Sequence, residues 1–181
     1  MIGCFNLKGI DSMSCNVFMK WVAALALLML MSSCAHLSSP SVSAIKVDIS
    51  PSAVQVNDTV KVSIKAENVA DLTALEVHLS FDASVLEVIQ VNDGDLIKAD
   101  FKVQNVFDNT AGTVDYAVAQ INRPPASGRG TLFEIVFRAK ASGNSFIRFR
   151  GTDAAPAGVL LSDANGKAIQ VTLIDGDLKV K

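Results

Sequence analysis

The chain has 181 residues, of which 50% are hydrophobic and 19% charged, and its formal net charge at pH 7 is −2. From Cys34 onward, 14 Lys and Arg and 17 Asp and Glu are dispersed along the sequence. This balance argues against a nucleic-acid partner, because nucleic-acid binding needs a dense basic surface.

Residues 1–33 are predicted to be an export leader. Lys20 precedes an apolar run at residues 21–31, and the small residues Ser32 and Ser33 lead into Cys34, an order that is typical of a secretory signal. The run is shorter than the roughly 20 residues of a membrane-spanning helix. Its end resembles a bacterial lipobox, which implies lipidation of Cys34.

The predicted mature protein is therefore exported and lipid-anchored to the cell envelope, at the outer membrane or the cell surface. Residues 34–43 are rich in Ser and are predicted to form a flexible tether between the lipid and the domain. Apart from Cys34, the cysteines are Cys4 and Cys15. Disulfides, thiolate metal sites and cysteine nucleophiles are thus excluded from the sequence that follows the anchor.

Residues 44–181 are predicted to form one β-domain. Apolar and polar residues alternate there in short runs, and Gly, Asn, Asp and Pro separate the runs, a pattern that indicates strands and turns. A closing hairpin is predicted to turn at Asp163–Gly166, where Asn165 and Gly166 tolerate positive φ. The predicted strands are Ala44–Ile49, Thr59–Ala66, Leu72–Phe81, Leu86–Val91, Phe101–Phe107, Gly112–Gln120, Thr131–Ala139, Ser145–Thr152, and the hairpin strands Val159–Ser162 and Ile169–Val180.

The alternation assigns a face to each side chain. In the third predicted strand, the apolar set faces the core, and the intervening set, which includes His78, faces solvent. Because each strand has one apolar face, the strands must stack as two sheets. The predicted fold is therefore all-β, a two-sheet β-sandwich of jelly-roll topology with about nine strands. The predicted core set of this strand is Leu75, Val77, Leu79 and Phe81, and its solvent set is Ala74, Glu76, His78 and Ser80.

Several short motifs, in order and spacing, resemble the cohesin domain. A strand that ends in an aromatic residue and Asp is followed by Val-Leu-Glu-Val and by an Asp-Gly-Asp step, with Ala83 where the family has Pro. The resemblance covers Ile45 to Val180. Its segments are Val69–Leu72, Leu79–Val88, Val91–Ile97, Gly112–Val114, Gly128–Lys140 and Asp175–Val180.

The resemblance implies a non-catalytic module that docks a dockerin-like protein in an extracellular polysaccharide-degrading or envelope assembly. It places the binding face on outward residues of the strands that match 72–81, 101–107, 112–120 and 145–152. Glu76 matches an acidic recognition position, whereas Ala117 stands where many members have a larger apolar anchor. The residues expected to bind the partner are Ala74, Glu76, His78, Asp115, Ala117, Arg148 and Arg150.

Cohesins share their fold with carbohydrate-binding modules, so direct binding of polysaccharide is the alternative function. Sugar binding in a sandwich relies on exposed planar aromatic rings. The only Trp lies in the leader, and Tyr116 and most Phe residues fall on core positions. Phe107, near a strand end, is the one candidate for sugar stacking.

Few side chains of the predicted domain are suited to catalysis or metal binding. Beyond the leader the histidines are His36, in the tether, and His78, so a Ser-His-Asp site would have to use His78. We predict no catalytic residues. Turn chemistry is favoured over calcium for the Asp-rich loops, and no metal or cofactor is predicted. The loop residues concerned are Asp93, Asp95, Asp163, Asn165, Asp175 and Asp177.

Overall fold

The computed structural model describes residues 42–181. The predicted leader, the lipidation site Cys34 and residues 34–41 of the tether lie outside the described residues. Within 42–181, no helix is long and apolar enough to cross a bilayer.

Eleven strands make up the described part, against about nine in the prediction. Of the ten segments predicted individually, 59–66 and 72–81 form one strand, whereas a two-residue strand and the division of the last segment add two. The strands are β1 Ala44–Ile49, β2 Ala53–Val54, β3 Thr59–Ser80, β4 Leu86–Asp93, β5 Phe101–Asp108, β6 Thr113–Ala119, β7 Ala126–Ala139, β8 Gly143–Phe149, β9 Val159–Asp163, β10 Thr172–Ile174 and β11 Gly176–Val180.

The strands form the two layers of a jelly-roll β-sandwich, as the alternation predicted. The back sheet contains β4, β7, the first half of β3, β1 and β10. The front sheet contains β5, β6, the second half of β3, and β9 with the end of β8. Next to them, β11 pairs with β8 on one side and with β2 on the other.

One long strand, β3, belongs to both sheets. Its first half pairs with β1 and β7, and its second half pairs with β6 and β9. Register shifts between Ala66, Val69 and Leu72 mark the passage, and Asn68 and Asp71 there have φ of 53° and 55°. Asn and Asp tolerate this left-handed conformation better than most residues. The two predicted strands 59–66 and 72–81 are thus one strand with an irregular middle.

The core lies between the two sheets and is built from the predicted apolar faces. Leu75, Val77, Leu79 and Phe81 are all buried, which confirms their predicted orientation. Phe137 packs edge-on against Phe81, with ring centroids 5.1 Å apart, and such contacts add to the stabilisation from apolar burial. Tyr116 stacks on Phe133 with centroids 4.3 Å apart. Tyr116 is thus a core residue, as predicted.

The pairing of the closing hairpin was predicted wrongly. Its turn is present, since Gly166 N donates to Asp163 O at 3.0 Å, but the two segments share only one isolated bridge, Ser162 to Ala168. β9 pairs with β3 instead. Beyond the turn, β10 pairs with β1 and β11 with β8. The last predicted segment is therefore two strands, the first alongside β1 and the second alongside β8.

Candidate protein-binding face

The outward surface of the front sheet, here called the front face, collects all seven predicted binding residues. Directly paired residues of antiparallel strands share a face. Glu76 pairs with Ala117 and His78 with Asp115, while Ser80, two positions beyond His78, pairs with Arg148. Ala74 lies two residues before Glu76 and therefore on the same face, and the side chain of Arg150 bonds to Asp115.

Four of these residues form a hydrogen-bonded charge network. His78 Nδ1 lies 2.6 Å from Oδ1 of Asp115, and His78 Nε2 lies 2.7 Å from Oε1 of Glu76. Arg150 Nη2 donates to the same Oδ1 of Asp115 at 2.5 Å. A neutral imidazole donates from one nitrogen only, whereas the imidazolium donates from both. The charged ring is therefore the form that satisfies both carboxylates.

His78 is buried, with 6% of its surface exposed, and this corrects its prediction as a solvent-facing histidine. Its polar side chain tolerates burial because both ring nitrogens have partners. Arg150 is held next to it in the backbone, since Arg150 N donates to His78 O at 2.9 Å. The same pairing leaves neither ring nitrogen for a serine hydroxyl, so the arrangement does not support a Ser-His-Asp nucleophile.

The two arginines of the front face have different partners. Asp115 compensates the charge of Arg150, whose Nε is buried without a hydrogen-bond partner. The guanidinium of Arg148 lies over the ring of Phe146, 4.5 Å from its centroid, a cation–π contact. Arg148 is exposed. The front face therefore presents one accessible cation beside a self-compensated network.

Next to the network lies an apolar depression of about 160 Å³. Ala74, Ala117 and Ala119 line its floor, with Val103 and Leu160 at its sides. Ala117 is 6% exposed, whereas Val103 is 66% and Leu160 42% exposed. Small residues flanked by large exposed apolar ones make a shallow site for a protruding side chain, as in the cores of protein interfaces.

Sequence reasoning missed the large apolar residues of this face. Phe101 and Val106 on β5 are each 54% exposed, and Phe146 on β8 is 48% exposed. Phe101 pairs with Ala119 and Val106 with Asp115, which places both on the front face. In strands, Phe and Val usually indicate core positions. The one signal in the sequence was that apolar and polar residues alternate poorly along β5. In the structure, its pairing with β6 is irregular between Lys102 and Gln104.

Below β5, a buried tyrosine connects the front sheet to the end of β4. Tyr116 OH donates to Asp93 Oδ1 at 2.8 Å, and Lys102 Nζ donates to the same oxygen at 2.6 Å. The bond from Lys102, aided by that from Tyr116, lowers the pKa of Asp93. Burial, and then the bond to Asp93, raises the pKa of Tyr116 far above its ordinary value.

Three carboxylates of the Asp-rich loops accept hydrogen bonds from backbone amides, and only those of Asp163 lie within its own turn, as turn chemistry requires. Asp163 Oδ1 accepts from the amides of Asn165 and Lys167 at 2.8 and 2.9 Å. Asp95 Oδ1 accepts from Thr131 N at 2.6 Å, and Asp175 Oδ1 from Phe149 N at 3.1 Å.

Phe107, the candidate for sugar stacking, lies apart from the front face. It is 39% exposed and pairs with Val114, a core residue, whereas the preceding Val106 pairs with Asp115. Its ring therefore occupies the opposite side of β5 from the network. Carbohydrate binding through Phe107 stays a prediction.

Comparisons with known proteins agree with this architecture. The Cohesin domain model matches residues 45–180, whereas a search of curated proteins finds no match. A type II cohesin domain from the cellulosome of Acetivibrio cellulolyticus is similar, with TM-score 0.67 and 20% identity over 76% of this chain and 95% of that chain. A non-cellulosomal cohesin from the hyperthermophilic archaeon Archaeoglobus fulgidus gives TM-score 0.61 and 21% identity over 78% and 92%.

A third similar structure contains a bound partner. It is the sixth cohesin from scaffoldin B of Acetivibrio cellulolyticus in complex with a mutant Cel5 dockerin, with TM-score 0.65 and 13% identity over 78% of this chain and 100% of that chain. The family match spans nearly the whole described part of the chain. The chain therefore belongs to the cohesin domain family, whose modules are non-catalytic and bind other proteins.

Proposed function

We propose that the front face binds a dockerin-like module and that the chain works as an attachment point in an extracellular polysaccharide-degrading or envelope assembly. The observation that carries the proposal is the alanine-floored depression between Val103 and Leu160, beside the Glu76–His78–Asp115–Arg150 network. Similar cohesin structures contain a bound dockerin, which supports a partner of this class.

The two halves of the front face have different roles in this proposal. An apolar side chain of the partner enters the depression, where desolvation supplies most of the binding energy. The charged groups of the network are paired with one another, so it offers few unpaired charges to the partner. Arg148 remains accessible and favours an acidic residue on the partner. Such a charge at the rim affects the association rate more than the affinity.

The proposal is tested by measuring binding of the purified chain to dockerin modules encoded in the same genome. Leu160→Arg fills the depression with a charged side chain, and we expect at least a tenfold loss of affinity, or about 1.4 kcal/mol. Ile174→Arg is the matched control, because Ile174 is 49% exposed on β10 of the back sheet. Glu76 is a less suitable probe, since its substitution also removes the bond to His78.

Two results would contradict the proposal. One is that no dockerin module of the genome binds the wild-type chain. The other is that Leu160→Arg binds as well as Ile174→Arg does while both variants melt with the wild type. Glycan binding by the wild-type chain without dockerin binding would favour the carbohydrate-binding function instead.

The location of the module is also a proposal, supported by the resemblance of residues 20–34 to an export leader that ends in a lipobox. We expect the chain to be lipid-anchored to the cell envelope through Cys34. In cells fed an alkyne-tagged fatty acid, the wild-type chain should acquire the tag and fractionate with membranes. Cys34→Ser should lose both the tag and the membrane association, and a tagged Cys34→Ser chain would refute the anchor.

A further inference from the structure

The charge network of the front face lies at the edge of the apolar depression. Glu76 lines the depression and pairs with Ala117 on one side and with Leu160 on the other. Its Oε1 lies 2.7 Å from His78 Nε2. His78 is the one histidine within residues 42–181, and histidine is the side chain that ordinarily changes charge between pH 5 and pH 8. A proton that enters or leaves this ring therefore acts on the wall of the depression.

The charged groups around the ring come from three segments. Glu76 belongs to β3, Asp115 to β6, and Arg150 follows β8. The residues of β5 and β9 that pair with the two carboxylate residues are apolar, namely Val106 and Leu160. Arg148, on β8, lies over the ring of Phe146 instead. With the imidazole protonated, two cations cancel two carboxylates, whereas the unprotonated imidazole leaves the network with one net negative charge.

Loss of the ring proton breaks one of the two carboxylate bonds, and the surroundings favour the loss of the bond to Glu76. A neutral imidazole keeps one N–H, and its other nitrogen presents a lone pair to the carboxylate that it faces. Asp115 cannot turn away from such a contact, because Arg150 Nη2 holds the same Oδ1 at 2.5 Å. Glu76 can, since its side chain is 31% exposed and the ring is its one hydrogen-bond partner within 42–181. We therefore expect the neutral ring to keep its Nδ1 proton.

We propose that the proton on His78 is a latch for Glu76, and that partner binding on the front face is thereby coupled to pH. The charged ring holds the carboxylate of Glu76 against the network, and the neutral ring releases it towards the depression and solvent. The consequence for binding rests on the proposed function. An apolar side chain of the partner must then enter a site beside a carboxylate without a partner, and removing such a charge from water is costly. The front face therefore binds its partner more tightly in mild acid than in mild base.

The latch is tested without a partner, by nitrogen-15 NMR of the full chain in mild detergent between pH 5 and pH 8. The chemical shifts of the two ring nitrogens of His78 show which one loses its proton. We expect Nε2, which faces Glu76, to lose the proton, and Nδ1, which faces Asp115, to keep it. A neutral ring that keeps its proton on Nε2 would retain the bond to Glu76 and would overturn the latch. So would a ring whose protonation does not change in this range.

The coupling to binding is tested by measuring the affinity for a dockerin module of the same genome across the same pH range. We expect the wild-type affinity to be at least about tenfold lower at pH 8 than at pH 5, and to change by no more than about tenfold per pH unit because one proton is involved. His78→Gln, which cannot carry the charge, and Glu76→Gln, which has no charge to release, should each remove most of this dependence. Glu67→Gln is the matched control, because Glu67 also lies on β3 but bonds to Lys46 of β1 in the back sheet at 2.6 Å, and it should keep the wild-type dependence.

The failure of the latch and the failure of the proposed function give different results. If no dockerin module binds at any pH, the function is refuted, and the NMR titration still decides whether the ring releases Glu76. If dockerin binds through the depression with the same pH dependence in the wild type, His78→Gln and Glu76→Gln, the coupling is refuted and the function stands. Because the same dockerin module is used throughout, its own titrating groups contribute equally to every variant. Glu76→Gln keeps an acceptor oxygen for the ring, so it also decides the coupling if His78→Gln does not fold.

Discussion

Asp115→Ala tests the charge network of the front face most directly. The substitution removes the one oxygen that accepts from both His78 Nδ1 at 2.6 Å and Arg150 Nη2 at 2.5 Å. The side chain of His78 is 8% exposed and that of Arg150 is 35% exposed. After the substitution, water can solvate much of Arg150 but little of His78. The ring then keeps one carboxylate partner, Glu76.

The expected cost follows from these exposures. A hydrogen bond to a charged group contributes about 1.5–3 kcal/mol, and a buried donor left without a partner loses that full amount. The His78 bond falls in this range, whereas the Arg150 bond adds less because solvent screens and replaces it. We expect the free energy of unfolding to fall by about 2–4 kcal/mol. At about 4 °C per kcal/mol for a domain of this size, Tm falls by about 8–16 °C.

Urea unfolding at pH 7, followed by far-ultraviolet circular dichroism, measures this loss. Asp48→Ala is the control, because Asp48 bonds to Lys65 at the same 2.5 Å but both side chains are 38–39% exposed. Exposed pairs contribute about 0–1 kcal/mol. If the two variants lose the same stability within about 0.5 kcal/mol, burial of His78 does not strengthen the network and the reasoning fails.

Two further predictions concern the packing of Phe137 and the titration of Asp93. Phe137→Ala should cost about 3–5 kcal/mol in urea unfolding because Phe137 is fully buried, whereas Phe101→Ala should cost under about 1 kcal/mol, and equal costs would contradict the packing. The pKa of Asp93 in the folded state is lowered, chiefly by Lys102. The contribution of Asp93 to the free energy of unfolding is therefore fully present above its unfolded pKa of 3.8 and is lost as the pH falls through the folded pKa. The stability gap between wild type and Asp93→Asn, measured by urea unfolding across pH, should therefore be constant above about pH 5 and shrink below pH 3.8; a gap that widens in acid would refute the assignment.

The alternation of side chains predicted most of the sandwich because burial on one face is a local property of each strand. Leu75, Val77 and Leu79 face the core as expected, since a slip of one residue would expose all three. The family resemblance added the front face, and the register of β3 with β6 brings its predicted residues together.

Pairings between distant segments could not be predicted in the same way. The burial of His78 depends on Asp115, 37 residues later, and on the segment of Arg150 beside it, and among its ring partners only Glu76 is near in sequence. β9 pairs with β3 rather than with the segment after its turn, because two adjacent apolar runs do not specify which partner each run takes. The exposed Phe101 and Val106 are residue types that usually lie in the core, and they are exposed here because β5 is at the edge of its sheet.

The continuity of β3 links the behaviour of the two layers. Since the same backbone forms the centre of both sheets, neither layer can detach while the other keeps its ladder. The domain should therefore open as one cooperative unit. A ligand bound to one sheet stabilises the folded state by RT ln(1 + [L]/Kd). It should therefore slow exchange through global unfolding by the same factor, 1 + [L]/Kd, for amides of both sheets.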